Sequence, residues 1–159
     1  HWMLDDLVAA CRHEPGRFPI PGLTPAMLRQ AKSGWLRYDG KGLSGTGAYA
    51  TFVVLNDIEL GTLAPAGGDE VQGVFATDVR IVLSPEAIRS LDRRNRFVLR
   101  NPNRDCFSVR RWWVELDLAD GRRCSSEVST ATHSQPPEWP HAEGIGVPFG
   151  QEIQVEIWF

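Results

Sequence analysis

The sequence predicts an α+β, β-rich fold, either an antiparallel sandwich or a strongly curved sheet, carrying two or three short helices. Three observations lead there. The order of elements is helix, helix, two strands, helix, then four short strands. That order has no regular βαβ alternation and disfavours a doubly wound parallel sheet. The last third of the chain alternates apolar and polar residues with a period of two, as half-buried strands do. Turn formers are frequent, with 15 Gly and 11 Pro among 159 residues, and they cluster between the periodic runs. A chain of this length can bury a sizeable core without disulfides or metals. A single domain over 1–159 is therefore expected, its helical N-terminal part (1–34) packing on an antiparallel sheet (47–159).

The elements follow in order. "MLDDLVAACRH" sets Leu4, Leu7, Val8 and Cys11 at helical spacing. "EPGRFPIPG" stops that helix, because proline removes a backbone donor and clashes with the preceding turn. In "GLTPAMLRQAKSG", Thr24 is a suitable N-cap, Pro25 fits the first helical position, and Gly34 fits the C-terminal stop. "GKGLSGTG" is a flexible turn; its spacing matches no phosphate-binding motif and no helix follows it. "AYATFVVLNDIEL" reads as one strand. Tyr49, Val53 and Leu55 lie on one parity, with Phe52, Val54 and Ile58 on the other, the pattern of a central strand covered on both faces. "VQGVFATDVRIVLS" alternates, with Val71, Phe75, Val79, Ile81 and Leu83 on one face; a hairpin with the strand before it is expected. Ser84 caps and Pro85 opens a third helix in "SPEAIRSLDRRNR". "FVLRNPNRD" is a short strand and a turn. Asp120-Gly121 between "FSVRRWWVELDL" and "RCSSEVSTATHS" is a hairpin signal. In the final strand, "QEIQVEIWF", Ile153, Val155, Ile157 and Phe159 share one face, and Glu152, Gln154, Glu156 and Trp158 the other.

Composition narrows the class. No apolar run reaches the ~20 residues of a membrane span, and acids interrupt "MLDDLVAACRHE", which removes the pattern of a secretory leader. A soluble, cytoplasmic protein is expected. Three cysteines, Cys11, Cys106 and Cys124, without C-x-x-C spacing, read as buried reduced thiols rather than a disulfide framework or a zinc knuckle. The net charge of −3 is unevenly spread. Arg89–Arg123 holds ten arginines and five acids, whereas Cys124–Phe159 holds five acids and neither Lys nor Arg. Such asymmetry can mark a nucleic-acid surface. The simpler expectation is a basic strand pairing with an acidic one inside a sheet, and nucleic acid is not the expected partner.

Chemistry-bearing residues gather in one loop. "HSQPPEWPHAEG" brings His133, Glu138, His141 and Glu143 close in sequence, all metal-ligand or acid–base types. Three prolines exclude the helix that an H-E-x-x-H site needs. The default reading is a stiff loop whose Trp139 packs against the sheet, and no cofactor or metal is expected.

The pair Trp112-Trp113 poses the sharper question, since neighbours in a strand face opposite ways. Trp112 shares a parity with Val114, Leu116 and Leu118 and belongs to the core. Trp113 lies with Arg111 and Glu115 on the other face. Upstream the parity reverses at Phe107 and Val109. Either a β-bulge near Arg110–Arg111 returns them to the same core, or they join Trp113 under a second cover. Trp158 sits likewise on the charged parity beside Glu156. If the two strands are neighbours, Arg111, Trp113, Glu115, Glu156 and Trp158 form one aromatic and charged outer face of the kind interfaces use. Otherwise each tryptophan is covered within the domain with arginine stacked on its ring.

The favoured reading is a small binding or protein-interaction module. It would work through that sheet face, the stiff "PPEWPHAEG" loop with Trp139 as a contact residue, or a pocket between helices and sheet, as a homodimer or with a small-molecule ligand. A hydrolase or metal-assisted enzyme built on the His133–Glu143 loop is the alternative, and nucleic-acid binding through Arg89–Arg123 the second.

Overall fold

The computed structural model describes residues 20, 22–43, 50–65, 75–102, 107–134, 145–146 and 151–159. The expected helix over Leu4–Cys11 lies outside them. Helix α1 (Pro25–Arg29) starts where the sequence indicates: Thr24 is extended, and its Oγ1 accepts from the Met27 N–H at 3.3 Å. It ends after five residues, because strand β1 (Ser33–Lys41) begins almost at once. Gly34 is therefore not a helix stop. A Cβ there would lie 2.6 Å from Leu116 Cδ2 and 3.3 Å from the Glu115 carbonyl oxygen, so glycine permits the close approach of two strands.

Strand β2 (Phe52–Leu55) and strand β3 (Ile58–Thr62) are two elements, not one. The chain reverses at Asn56 and Asp57, whose φ angles are 47° and 69°. Both residues tolerate the left-handed region a two-residue hairpin requires. Strand β4 (Ala76–Val82) pairs antiparallel with β1 rather than with the strand before it, which corrects the expected hairpin. Helix α2 (Pro85–Arg89) has the anticipated cap, Ser84 Oγ accepting from the Ala87 N–H at 3.1 Å.

Strands β5 (Arg94–Asn101), β6 (Phe107–Asp117), β7 (Arg123–Ser125), β8 (Ser129–Ser134), β9 (Ile145–Gly146) and β10 (Gln151–Trp158) follow. The β6–β7 turn uses Asp120-Gly121 as read. Gly121 has φ 90°, its N–H donates to the Leu118 carbonyl at 3.0 Å, and the Leu118 N–H donates to the Arg122 carbonyl at 2.8 Å. This is a type I turn closed by a glycine bulge.

The strands form two sheets. One has six strands in the order β4-β1-β6-β8-β9, with β7 also on β6; the other has four in the order β10-β5-β2-β3. Among the described residues only the short β8–β9 pairing is parallel. One of the two sheets is strongly curled into a half-barrel, so the fold combines the two architectures the sequence left open. The core lies between the sheets. Leu36, Tyr38, Trp112, Val114 and Leu116 meet Val53, Leu55, Phe97, Leu99 and Ile157, and the Trp112 and Phe97 rings pack with centroids 5.6 Å apart. Phe107 and Val109 join that core. The β6 register explains how: Tyr38 pairs with Trp112, but Gly40 pairs with Val109. Three steps on β6 answer two on β1, a bulge at Arg110–Arg111 that resets the parity. No helix among the described residues is long and apolar enough to cross a membrane.

Candidate functional site

The structure places the candidate residues on two different faces. Strands β6 and β10 belong to separate sheets, so Trp113 and Trp158 do not share the single outer face anticipated from their parity.

On the outer face of the six-stranded sheet, Arg37 of β1 lies directly opposite Trp113 of β6, and Trp35 opposite Glu115. Trp113 is only 2% exposed and Glu115 3%. The Arg37 and Arg111 guanidinium carbons each stand 5.5 Å from the Trp113 ring centroid. Cationic side chains thus cover the indole and draw a cation–π attraction from it. Trp113 Nε1 donates to Glu115 Oε1 at 3.2 Å, and Arg37 Nη1 donates to Glu115 Oε2 at 2.6 Å. At the bulge, Asp39 is fully buried and its Oδ2 accepts from Arg111 Nε at 2.7 Å and Arg110 Nη2 at 3.3 Å. The bulge causes this, because two consecutive β6 residues face one β1 carboxylate. Buried charges persist only when paired in this way. Arg111, Trp113 and Glu115 therefore form a structural lattice with Arg37 and Asp39, which the sequence reading did not single out. The alternation Trp35-Arg37-Asp39 in "WLRYDGK" is the signal that could have found them.

On the outer face of the four-stranded sheet, Arg94, Arg96, Arg100, Glu152, Gln154 and Trp158 are exposed. In register, Glu152 opposes Arg100, Glu156 opposes Arg96, and Trp158 opposes Arg94. Arg100 Nε donates to Glu152 at 3.0 Å. Arg94 reaches diagonally to Glu156, its Nε 2.9 Å from Oε1 and its Nη2 also bonded there. Arg96 turns the other way and pairs with Asp57 of the β2–β3 turn. The basic stretch thus meets the acidic terminal strand inside the sheet, as the charge distribution implied.

Because Arg94 and Arg96 diverge, a shallow groove of about 290 Å³ opens between them, lined by Asn56, Asp57, Arg94, Arg96, Gln154 and Glu156. Its turn side is held firmly. Asn56 Nδ2 donates to Asn95 Oδ1 and to the Ser90 carbonyl, both at 3.0 Å, and Asn56 Oδ1 accepts from the Arg96 N–H at 2.9 Å. Beside the groove, Trp158 packs on Arg94, whose guanidinium carbon is 5.7 Å from the ring centroid, yet keeps 44% of its surface exposed.

His133 pairs through its backbone with Ser108 in the β6–β8 ladder, and its side chain is not described. Glu138, Trp139, His141 and Glu143 lie outside the described residues. Among the described residues no group of three or more His, Cys, Asp or Glu side chains could hold a metal ion. Cys124 is a buried free thiol whose pKa burial pushes up to about 11, the opposite of what a nucleophile needs. Cys11 and Cys106 lie outside the described residues. Comparison with protein-family models, with curated proteins and with solved structures returns no match.

Proposed function

We propose that this protein is a binding module whose working surface is the outer face of the four-stranded sheet. One observation carries the reading: Trp158, 44% exposed, stands against Arg94, which lines an open groove. Its counterpart Trp113 is enclosed by arginines and a carboxylate. An exposed aromatic beside fixed charged groups is the composition of a recognition surface. The hydrolase or metal reading rests on Glu138, His141 and Glu143, which lie outside the described residues, and on His133, whose side chain is not described. The pairing of Arg94, Arg96 and Arg100 with Glu156, Asp57 and Glu152 leaves the basic segment little uncompensated charge for nucleic acid.

A thermal-shift screen of a small-molecule library tests this, comparing the parent protein with a Trp158→Ala/Arg96→Ala variant. Both side chains are exposed, so the variant stays folded, which circular dichroism checks. Compounds that stabilise only the parent are the expected result. Stabilisers acting equally on both proteins, or none at all, would overturn the assignment of this face. Sedimentation of the same pair reports whether the occupant is instead a second copy.

A further inference from the structure

We propose that the groove and Trp158 together form a subsite for a neutral saccharide. The inference rests on the assignment of this face as a binding surface and adds the chemistry of its ligand.

Four features converge. The charges lining the groove cancel, Arg94 and Arg96 against Asp57 and Glu156. A groove with no net charge gives no long-range attraction to a polyanion or a polycation, so the fitting ligand is uncharged. The residues that line it are nevertheless all of polar type, bringing two guanidinium groups, two carboxylates and the Gln154 and Asn56 amides. Each is a planar group able to make two hydrogen bonds side by side, matching a pair of adjacent hydroxyls on a sugar ring. Third, the four charged groups are already oriented. Arg94 is tied to Glu156 by two N–H donors, and Arg96 to Asp57. Ordering them on binding therefore costs little further side-chain entropy. Each guanidinium has more N–H donors than these pairs use, and each carboxylate more lone pairs. Fourth, Trp158 supplies a flat apolar surface with a polar N–H at its rim. The C–H face of a pyranose stacks on such a surface while its hydroxyls stay wet or reach the groove.

Size agrees. About 290 Å³ falls just short of the roughly 300–1,000 Å³ of whole small-molecule sites, a size for one unit of a longer ligand, and the groove is open at the surface. It accommodates a sugar unit of a chain that runs on across Trp158.

The test uses the full chain labelled with 5-fluorotryptophan and followed by fluorine NMR, with the Trp158 resonance identified from a Trp158→Phe variant. The probes are soluble hexasaccharides: β-1,4- and α-1,4-glucan, xylan, mannan and chitin fragments. At least one should shift the Trp158 resonance, with an affinity that hardly changes up to about 0.5 M NaCl, as an uncharged ligand requires. Trp158→Ala should weaken that affinity about tenfold or more, and Trp158→Phe less, because a stacking surface remains. Gln154→Ala should weaken it about threefold to tenfold through lost hydrogen bonds. Heparin, a single-stranded oligonucleotide and a dilution series of the protein itself form the second arm. If one of these moves the Trp158 resonance and no hexasaccharide does, the saccharide inference falls and the binding face stands. If no probe moves it, both fall. If hexasaccharides act only on other tryptophans, the site lies elsewhere and the inference is overturned.

Discussion

Asn56 stands at φ 47°, where a residue with a Cβ is strained, and its amide joins three partners in other segments. One of them, Asn95, is fully buried and also accepts from the Asp92 N–H at 2.9 Å and donates to the Ile157 carbonyl at 3.3 Å. Two amides thus tie the β2–β3 turn, the end of α2, β5 and β10 into one knot beside the groove. Removing one partner strands buried polar groups, which costs more than the bond itself. Asn56→Ala is expected to lower stability in urea by about 2–3 kcal/mol, combining backbone strain with lost hydrogen bonds. Asn56→Gly relieves the strain and loses the bonds, so it should fall between the two proteins. The Trp113 lattice behaves alike. Glu115→Ala leaves Arg37 and the Trp113 N–H without this carboxylate in a nearly closed environment. A loss of about 3 kcal/mol is expected, whereas Glu115→Gln keeps an acceptor and should lose clearly less. Equal losses for the two variants would show that the carboxylate's charge and hydrogen bonds are not what holds the lattice.

Elements with local signals were legible, and those defined by a distant partner were not. The Thr24 and Ser84 caps, the Asp120-Gly121 turn and the bulge at Arg110–Arg111 all announce themselves within a few residues. Strand β1 was missed because "SGWLRYDGK" follows directly on a helix, and its Gly34 resembles a C-terminal stop. Only the facing Leu116 and Glu115 of β6 explain that glycine. The β2–β3 turn was missed because Asn56-Asp57 lacks the glycine that usually marks such a turn. At the candidate site, parity correctly separated Trp112 from Trp113 and grouped Arg111 and Glu115 with the latter. The division of β6 and β10 between two sheets is a property of topology that no parity contains. Two substitutions separate local from long-range demands on glycine. Gly121 has φ 90° and nothing within 4 Å of a built Cβ, so Gly121→Ala pays only a backbone penalty of about 1 kcal/mol. Gly34 has no positive φ, but a Cβ there would meet Leu116 and a backbone oxygen closer than van der Waals contact. Gly34→Ala is expected to cost about 1–3 kcal/mol, as overpacking does. Chemical denaturation of both variants checks the order; Gly34→Ala as mild as Gly121→Ala would mean that the β1–β6 pair yields easily.

At the scale of the whole molecule, charges are paired at the surface and in the Trp113 lattice, and the titratable groups of the core between the sheets are held neutral. The arginines of β5 are matched on the outer face by Glu152, Glu156 and Asp57, so the exposed sheet carries alternating stripes with little net field. The core instead holds two groups that ionise only at alkaline pH. Cys124 is raised from 9.0 to about 11 by burial. Tyr38, whose hydroxyl oxygen accepts from the Ala64 N–H at 2.7 Å, is raised above its ordinary 10.0 by burial as well. In both cases the fold favours the protonated, neutral form, because the charged form would lose its hydration. The sign of the linkage follows. Below pH 9.0 folded and unfolded chains hold the same protons on these groups, and their contribution is complete. As pH rises past the unfolded values the unfolded chain releases protons that the folded chain keeps, so stability falls. For Cys124 the decline runs from pH 9.0 to about 11; for Tyr38 it starts at about pH 10 and continues beyond. Urea midpoints followed by circular dichroism across this range should therefore drop along a slope with two components. Cys124→Ala should lose the earlier component and Tyr38→Phe the later one, each superimposed on a constant offset from altered packing. The slope, rather than the offset, reports the titration. If both variants keep the parent's slope, the buried thiol and phenol do not govern the alkaline limb.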